Sequence, residues 1–158
     1  MRQSWDEYFL DLAFHAATRA TCSRRKVGAV VVQDRKVRST GYNGGPSGFP
    51  HCDEGACPRG RSSAQVRSAE ADRVLSGSYD DCIAIHAEAN AIMQSDPRDR
   101  VGATIYCTDF PCFQCAKLIA NSGVSRVVYK IFPETEASEK CYSFLEKCGL
   151  SMTHLQEQ

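Results

Sequence analysis

Three features of this sequence predict an α/β fold, a sheet with helices on both faces. Strands and helices alternate along the second half, β-branched runs stand between turn residues, and an amphipathic helix opens the chain. Ser4 followed by Glu7 has the form of a capping box, and Trp5, Tyr8, Leu12, Ala13 and Ala16 then recur at helical spacing. Residues 27–32 form a short β-branched run ending at Asp34-Arg35, and 37–42 resume an extended pattern, so the two form a hairpin. Asn43-Gly44-Gly45-Pro46 stops the second strand. Gly, Ser, Arg and Asp dominate 47–81, which reads as a long loop or insertion with a short helix at 64–75. Then follow a helix over 87–93, a strand at 104–108, a helix after Pro111, a strand at 126–129, a helix over about 134–147 and an edge strand near 151–155. The 158 residues suit a single domain, 1–158, with no internal repeat.

Composition narrows the function. Nineteen basic residues balance nineteen acidic ones, which argues against binding a polyanion by bulk charge. The longest apolar stretch, 27–32, falls far short of the roughly 20 residues that span a bilayer. The first residues carry Arg2, Asp6 and Glu7 without an apolar block behind a basic start, so a cytoplasmic location is expected. Nine cysteines are many for a reducing compartment and, being odd in number, cannot all pair. Metal binding is the expected use of some.

The chemistry concentrates in His86-Ala87-Glu88 and Pro111-Cys112-Phe113-Gln114-Cys115. Cys112 and Cys115 stand three apart at a predicted helix start, so their sulfurs share one face, and the free N–H groups there favour thiolates. One imidazole and two thiolates neutralise a zinc ion and leave its fourth tetrahedral position open for water, the layout of a catalytic site. Zinc lowers the pKa of such a water from about 15.7 toward roughly 7. Glu88 adds a carboxylate that can take the proton and pass it on. Residues two apart in mid-helix lie about 200° apart around the axis, so His86 and Glu88 can converge only in a helix's first turn. His-x-Glu alone is common, and Cys-x-x-Cys alone also serves disulfide exchange and zinc fingers. Together, in this order and with a strand between them, H-x-E and P-C-x-x-C form the signature of zinc-dependent nucleobase deaminases. The competing assignment is a structural zinc held by His86, Cys112, Cys115 and a fourth protein ligand, which leaves Glu88 without a purpose.

His86-Ala87-Glu88-Ala89-Asn90-Ala91-Ile92, Phe110-Pro111-Cys112-Phe113-Gln114-Cys115-Ala116-Lys117 and Gly41-Tyr42-Asn43-Gly44 together resemble the deoxycytidylate (dCMP) deaminases of the cytidine deaminase superfamily. The similarity covers most of 18–129. It implies a three-layer α/β/α cytidine deaminase-like fold with a central mixed sheet of about five strands. It also implies zinc on His86, Cys112 and Cys115, with Glu88 carrying protons to pyrimidine N3 and to the departing ammonia while zinc-activated water attacks C4. The resemblance places Asn43 near the sugar hydroxyl, although an ordinary turn asparagine explains it equally well. Ala87 and Phe110 are further candidate substrate contacts; Phe110 is suited either to stack on the base or simply to pack. The family also implies a homo-oligomer, often a hexamer, in which dCTP activates and dTTP inhibits, with Mg2+ accompanying the regulatory nucleotide.

Cys22, Cys52, Cys57 and Cys82 remain, and the last three flank or lie in the polar segment, which has too little apolar surface to order itself by burial. A metal staple would replace the missing core energy. Some family members carry a second, structural zinc near the positions of Cys22 and Cys52, and the expected closed site is Cys22, Cys52, Cys57 and Cys82, with His51 as substitute; the alternative is four unrelated thiols. Cys107, Cys141 and Cys148 are expected in the core, as is Tyr106. Arg24, Arg25 and Lys26 are candidates for a substrate 5′-phosphate, with Arg24 and Lys26 taken as contacts, although such a trio is often only solvated; Arg59 and Arg61 are similar candidates. After Tyr129 the chain reads Lys130-Ile131-Phe132-Pro133-Glu134-Thr135, where the family often has an acidic and aromatic stretch. The leading expectation is hydrolytic deamination of dCMP to dUMP, feeding thymidylate synthesis; the alternatives are CMP, deoxycytidine or a modified cytosine. A nucleic-acid editor is disfavoured by the neutral charge and the lack of an aromatic-basic stripe.

Overall fold

The computed structural model describes residues 1–59 and 82–156. Five strands form one sheet in the order β2-β1-β3-β4-β5, with β1 Gly28–Gln33, β2 Lys36–Tyr42, β3 Thr104–Asp109, β4 Arg126–Ile131 and β5 Ser151–His154. β1 runs antiparallel to β2 and β3, whereas β3, β4 and β5 are mutually parallel, so the sheet is mixed. The helices are α1 Trp5–Ala17, α2 Ala87–Gln94, α3 Pro97–Arg100, α4 Phe113–Ser122 and α5 Glu136–Lys147.

The strand pleat sorts the core into two halves. Val30, Val32, Tyr106 and Val128 turn to one face and pack with Phe9, Leu10 and Ala13 of α1. Ala29, Val31, Ile105, Cys107, Val127 and Tyr129 turn to the other, against Ala87, Ala91, Ala116, Ile119, Cys141 and Leu145 of α2, α4 and α5. The Val-rich β1 is therefore buried on both faces.

Local chemistry sets the ends. Ser4 and Glu7 form the reciprocal cap of α1. Asp34 and Arg35 both adopt positive φ, the geometry of a two-residue hairpin turn whose twist matches its strands. α5 starts two residues later than its pattern suggests, because the Thr135 hydroxyl accepts from the Ser138 N–H and caps it. Cys148, expected in the core, caps the C-terminal end of α5 and is exposed. The helix expected at 64–75 and the candidate Arg61 lie outside the described residues.

Two glycines let helices approach the sheet. A Cβ at Gly28 would sit 1.9 Å from the Ala13 carbonyl oxygen of α1, and one at Gly41 only 2.1 Å from the Ala87 oxygen of α2. Ser39 donates to the Ala91 carbonyl at 2.6 Å and Asn90 Nδ2 to the Tyr42 carbonyl at 2.8 Å, fastening α2 to β2. Gly41 and Asn90 thus fix where α2 lies on the sheet, and His86 is its N-cap.

Candidate active site

His86 is the N-cap of α2, and Glu88 lies in that helix's first turn. The requirement that the two converge at a helix mouth is met. Cys112 caps α4 and Cys115 stands in its first turn, directly beyond the carboxyl end of β3. Two helix N-termini therefore contribute N–H groups without intrahelical partners and positive dipole ends to one place. Open α/β sheets usually bind ligands beyond the carboxyl ends of their strands.

The His86 Nδ1 atom lies 3.4 Å from both Cys112 Sγ and Cys115 Sγ. One donor atom from each of the three residues lies within 4.8 Å of the other two, a nitrogen and two sulfurs suited to a single small cation. The hydrogen bond from Cys115, and then His86, hold the Cys112 thiol far below its ordinary range, while Cys115, which keeps the shared proton, is pushed far up. His86 in turn is raised, chiefly by Cys112. Glu88 is only 4% exposed. Burial lifts its carboxyl to about 7, against the opposing pull of its own backbone N–H and of His86.

His86, Glu88 and Cys112 line a cavity of about 360 Å³ whose wall also includes Asn43, Ala87 and Phe110. Asn43 is built into that wall: its Oδ1 accepts from the Val27 N–H at 2.8 Å and its Nδ2 donates to the Arg25 carbonyl at 2.7 Å. Phe110 is buried against Tyr129, Phe132 and Tyr142, with centroids 4.8, 4.9 and 5.9 Å away. Of the basic trio, Arg24 and Arg25 line the cavity and Lys26 is not among its lining residues; Arg59, almost fully buried, joins them. Cys22, Cys52, Cys57 and Cys82 open on the same cavity. Burial, and then the thiols of Cys57, Cys22 and Cys82, push the Cys52 thiol up to about 12. His51 is not among the lining residues, and its buried Nδ1 has no hydrogen-bond partner among the described residues.

Asp109 also lines the cavity, outside the motifs that mark the other site residues. This buried carboxylate pairs with Arg25 and accepts a hydrogen bond of 2.6 Å from the Thr108 hydroxyl. Its signal was available: an acidic residue closing a strand immediately before the Phe-Pro-Cys turn, where strand ends carry binding groups.

Residues 3–131 match the family model described as the cytidine and deoxycytidylate deaminase zinc-binding region. The chain is 51% identical over 128 residues to a deoxycytidylate deaminase of Mycobacterium phage D29, covering 81% of this chain and 95% of that one. It is 38% identical over 154 residues to a deoxycytidylate deaminase of Saccharomyces cerevisiae, covering 96% of this chain but only 45% of the longer relative. Among solved structures it resembles the dCMP deaminase of cyanophage S-TIM5 in complex with dCMP and dUMP, with TM-score 0.70 and 26% identity over 98% of this chain and 99% of that one. The chain belongs to the cytidine and deoxycytidylate deaminase family, whose defining region binds zinc. No helix among the described residues is long and apolar enough to cross a membrane.

Proposed function

We propose that this chain hydrolyses dCMP to dUMP and ammonia, with zinc held by His86, Cys112 and Cys115. The observation that carries this reading is the convergence of one ring nitrogen and two sulfurs at paired helix N-termini, in the same cavity as a buried carboxyl group. Zinc in such a donor set supplies Lewis acidity that brings the pKa of water down toward about 7. Glu88 takes a proton from the attacking water and delivers it to N3 of the base, then takes the remaining proton from the new C4 hydroxyl and hands it to the amino group, which leaves as ammonia while C4=O forms. A carboxyl raised to about 7 is suited to both halves of that exchange near neutral pH. Asn43 faces the sugar, Ala87 and Phe110 bound the base, and Arg24 approaches the 5′-phosphate; Lys26 is the weaker candidate because it is not among the cavity's lining residues.

The similarity to deoxycytidylate deaminases supports dCMP as substrate. The test is ammonia release from dCMP, CMP and deoxycytidine by wild type and Glu88→Gln, with metal content measured on both. dCMP is expected to be preferred, and the variant to lose about 10²–10⁴-fold in kcat while keeping its zinc. A Glu88→Gln enzyme with near wild-type turnover would remove Glu88 from the mechanism, and preference for deoxycytidine would reassign the substrate.

Cys22, Cys52, Cys57 and Cys82 form a second, structural zinc site in this reading, supported by their place on one wall of the cavity; among the described residues, only His86, Cys112 and Cys115 bring three donor atoms within 4.8 Å of one another. Two zinc ions per chain, falling to one in Cys57→Ala, is the expected metal count. We further propose a homo-oligomer, up to a hexamer, responsive to dCTP and dTTP with Mg2+, working in the cytoplasm on the path to thymidylate. Sedimentation with and without these nucleotides tests the assembly.

A further inference from the structure

We propose that Arg100 is a positioning residue for the metal centre. Its guanidinium ties the C-terminal ends of α2 and α4 together, and so holds the two helix mouths at the spacing that His86, Cys112 and Cys115 need to share one ion. The inference rests on the reading of those three residues as zinc ligands, and it concerns what keeps them in register.

α2 is eight residues long and α4 ten. At about 1.5 Å per residue, their C-terminal ends lie roughly 12 and 15 Å from the donors along each axis. The last carbonyls of a helix lack intrahelical donors, and cations are favoured beside them. At the end of α2, Arg100 Nη1 donates to the Ser95 carbonyl at 3.1 Å and to the Ile92 carbonyl at 2.6 Å, which also accepts from the Ser95 hydroxyl at 2.8 Å. At the end of α4, Arg100 Nε donates to the Ser122 carbonyl at 3.3 Å. One planar, permanently charged group thus bonds to both helix ends.

Arg100 is itself anchored to the hairpin. Gln33 Nε2, at the end of β1, donates to the Arg98 and Val101 carbonyls on either side of it, at 2.9 Å each. Its neighbour Asp99 pairs with Arg38 of β2 at 3.4 Å. Arg100 therefore refers both helix ends to the sheet. Between those ends and the site, α2 and α4 contribute mainly small side chains, Ala87, Ala91 and Ala116, to one buried cluster with Ile119. Such apolar packing is non-directional, so it sets how closely the helices approach and leaves their tilt to directional bonds. A helix about 12 Å long that tilts by about one degree displaces one end relative to the other by about 0.2 Å. Metal–ligand distances are specific to about that amount. A clamp at the far ends is therefore felt at the donors.

The test compares wild type with Arg100→Ala, Arg100→Lys and, as a control on the opposite face of the sheet, Asp6→Asn. Urea unfolding of the metal-free proteins, zinc release into a chromophoric chelator, and kcat and KM for dCMP at saturating zinc are measured on each. The relevant ion is the one whose release phase is absent from Cys112→Ala. Arg100→Ala is expected to release it about 10-fold faster than wild type, the lower end of what outer-shell changes cost a metal site. Its kcat should fall about 10-fold with KM changed by less than about threefold, since Glu88 also rides on α2. Arg100→Lys keeps a charge at the helix ends without bridging them, so it regains most of the unfolding midpoint while releasing zinc nearly as fast as Arg100→Ala. Asp6→Asn loses stability and releases zinc at the wild-type rate. Wild-type release from Arg100→Ala, equally fast release from Asp6→Asn, or a lysine that restores stability and zinc retention in step would overturn the proposal. If Arg100→Ala does not fold, release against unfolding in Arg100→Lys decides alone. A Cys112→Ala protein holding as much zinc as wild type would overturn it together with the ligand assignment. The expected release pattern without ammonia release from any cytosine substrate would uphold it and sink the deaminase reading instead.

Discussion

Glu88 and Phe110 show how a side chain's surroundings decide between roles that its type leaves open. A carboxylate in a first helical turn is normally a solvated partner of the helix dipole, whereas Glu88 is buried beside thiols and an imidazole and holds its proton up to about 7. Phe110 sits at the cavity wall, but three aromatic neighbours within 6 Å give it a packing role in the layer beneath the site. Phe110→Ala is therefore expected to cost about 3–5 kcal/mol of unfolding free energy in urea titrations. A loss under about 1 kcal/mol would mean that the ring mainly serves the ligand.

At the scale of elements, the placement of α2 on β2 governs the site. The Cβ of an alanine at residue 41 would press on the Ala87 carbonyl, backbone that cannot yield without moving the helix. Gly41→Ala is expected to destabilise the fold by about 1–3 kcal/mol and to weaken zinc retention against a chelator, because His86 moves with α2. Unchanged zinc release would show that the helix mouth is positioned by other contacts. On the opposite face, α1 is tied to the sheet by Asp6, whose carboxylate accepts from both Arg126 Nη atoms at 3.0 and 2.7 Å and from the Tyr106 hydroxyl at 2.9 Å. Arg126 first, and then Tyr106, hold Asp6 below the usual carboxylate range against partial burial. With its folded-state pKa depressed, Asp6 stabilises the fold fully above its unfolded pKa of about 3.9, and this contribution disappears as pH falls through the folded value. Asp6→Asn should thus lose about 1–2 kcal/mol at pH 7. Its deficit relative to wild type should shrink in urea melts run below about pH 4. A deficit that did not change with pH would assign the effect to packing.

For the whole molecule, a metal held at the candidate site would be linked to the fold. Donors from α2 and α4, two elements far apart in sequence, meet at the cation site, so a ligand bound there favours the folded state over the unfolded one. At a free concentration a thousandfold above Kd the gain is about 4 kcal/mol. At roughly 2–4 °C per kcal/mol for a chain of this size, chelation should lower the Tm by about 8–16 °C. Readdition of zinc should restore it, and a Tm indifferent to chelator would show that the cluster is preformed and unaided by metal. The architecture behind this linkage was largely legible in advance. Val27 to Val32 and the Asp34-Arg35 turn announce the hairpin, and His86, Glu88, Cys112 and Cys115 announce a metal-assisted hydrolytic site, because their spacing has few other chemical uses.

Periodicity, caps and ligand spacing are short-range properties, readable wherever the residues that interact are a few positions apart. They settled the alternation of strands and helices, the two-faced burial of the sheet and the donor set. Asp109 meeting Arg25, Asn43 bridging the 25–27 segment, and Cys22 sharing a wall with Cys52, Cys57 and Cys82 are long-range encounters. Cys141 and Cys148 are seven residues apart and share one side of α5, yet Cys148 caps the helix's C-terminal end and is exposed while Cys141 is buried. Only the packing of helices on strands brings such residues to one place, because burial and charge pairing depend on neighbours that local pattern does not specify.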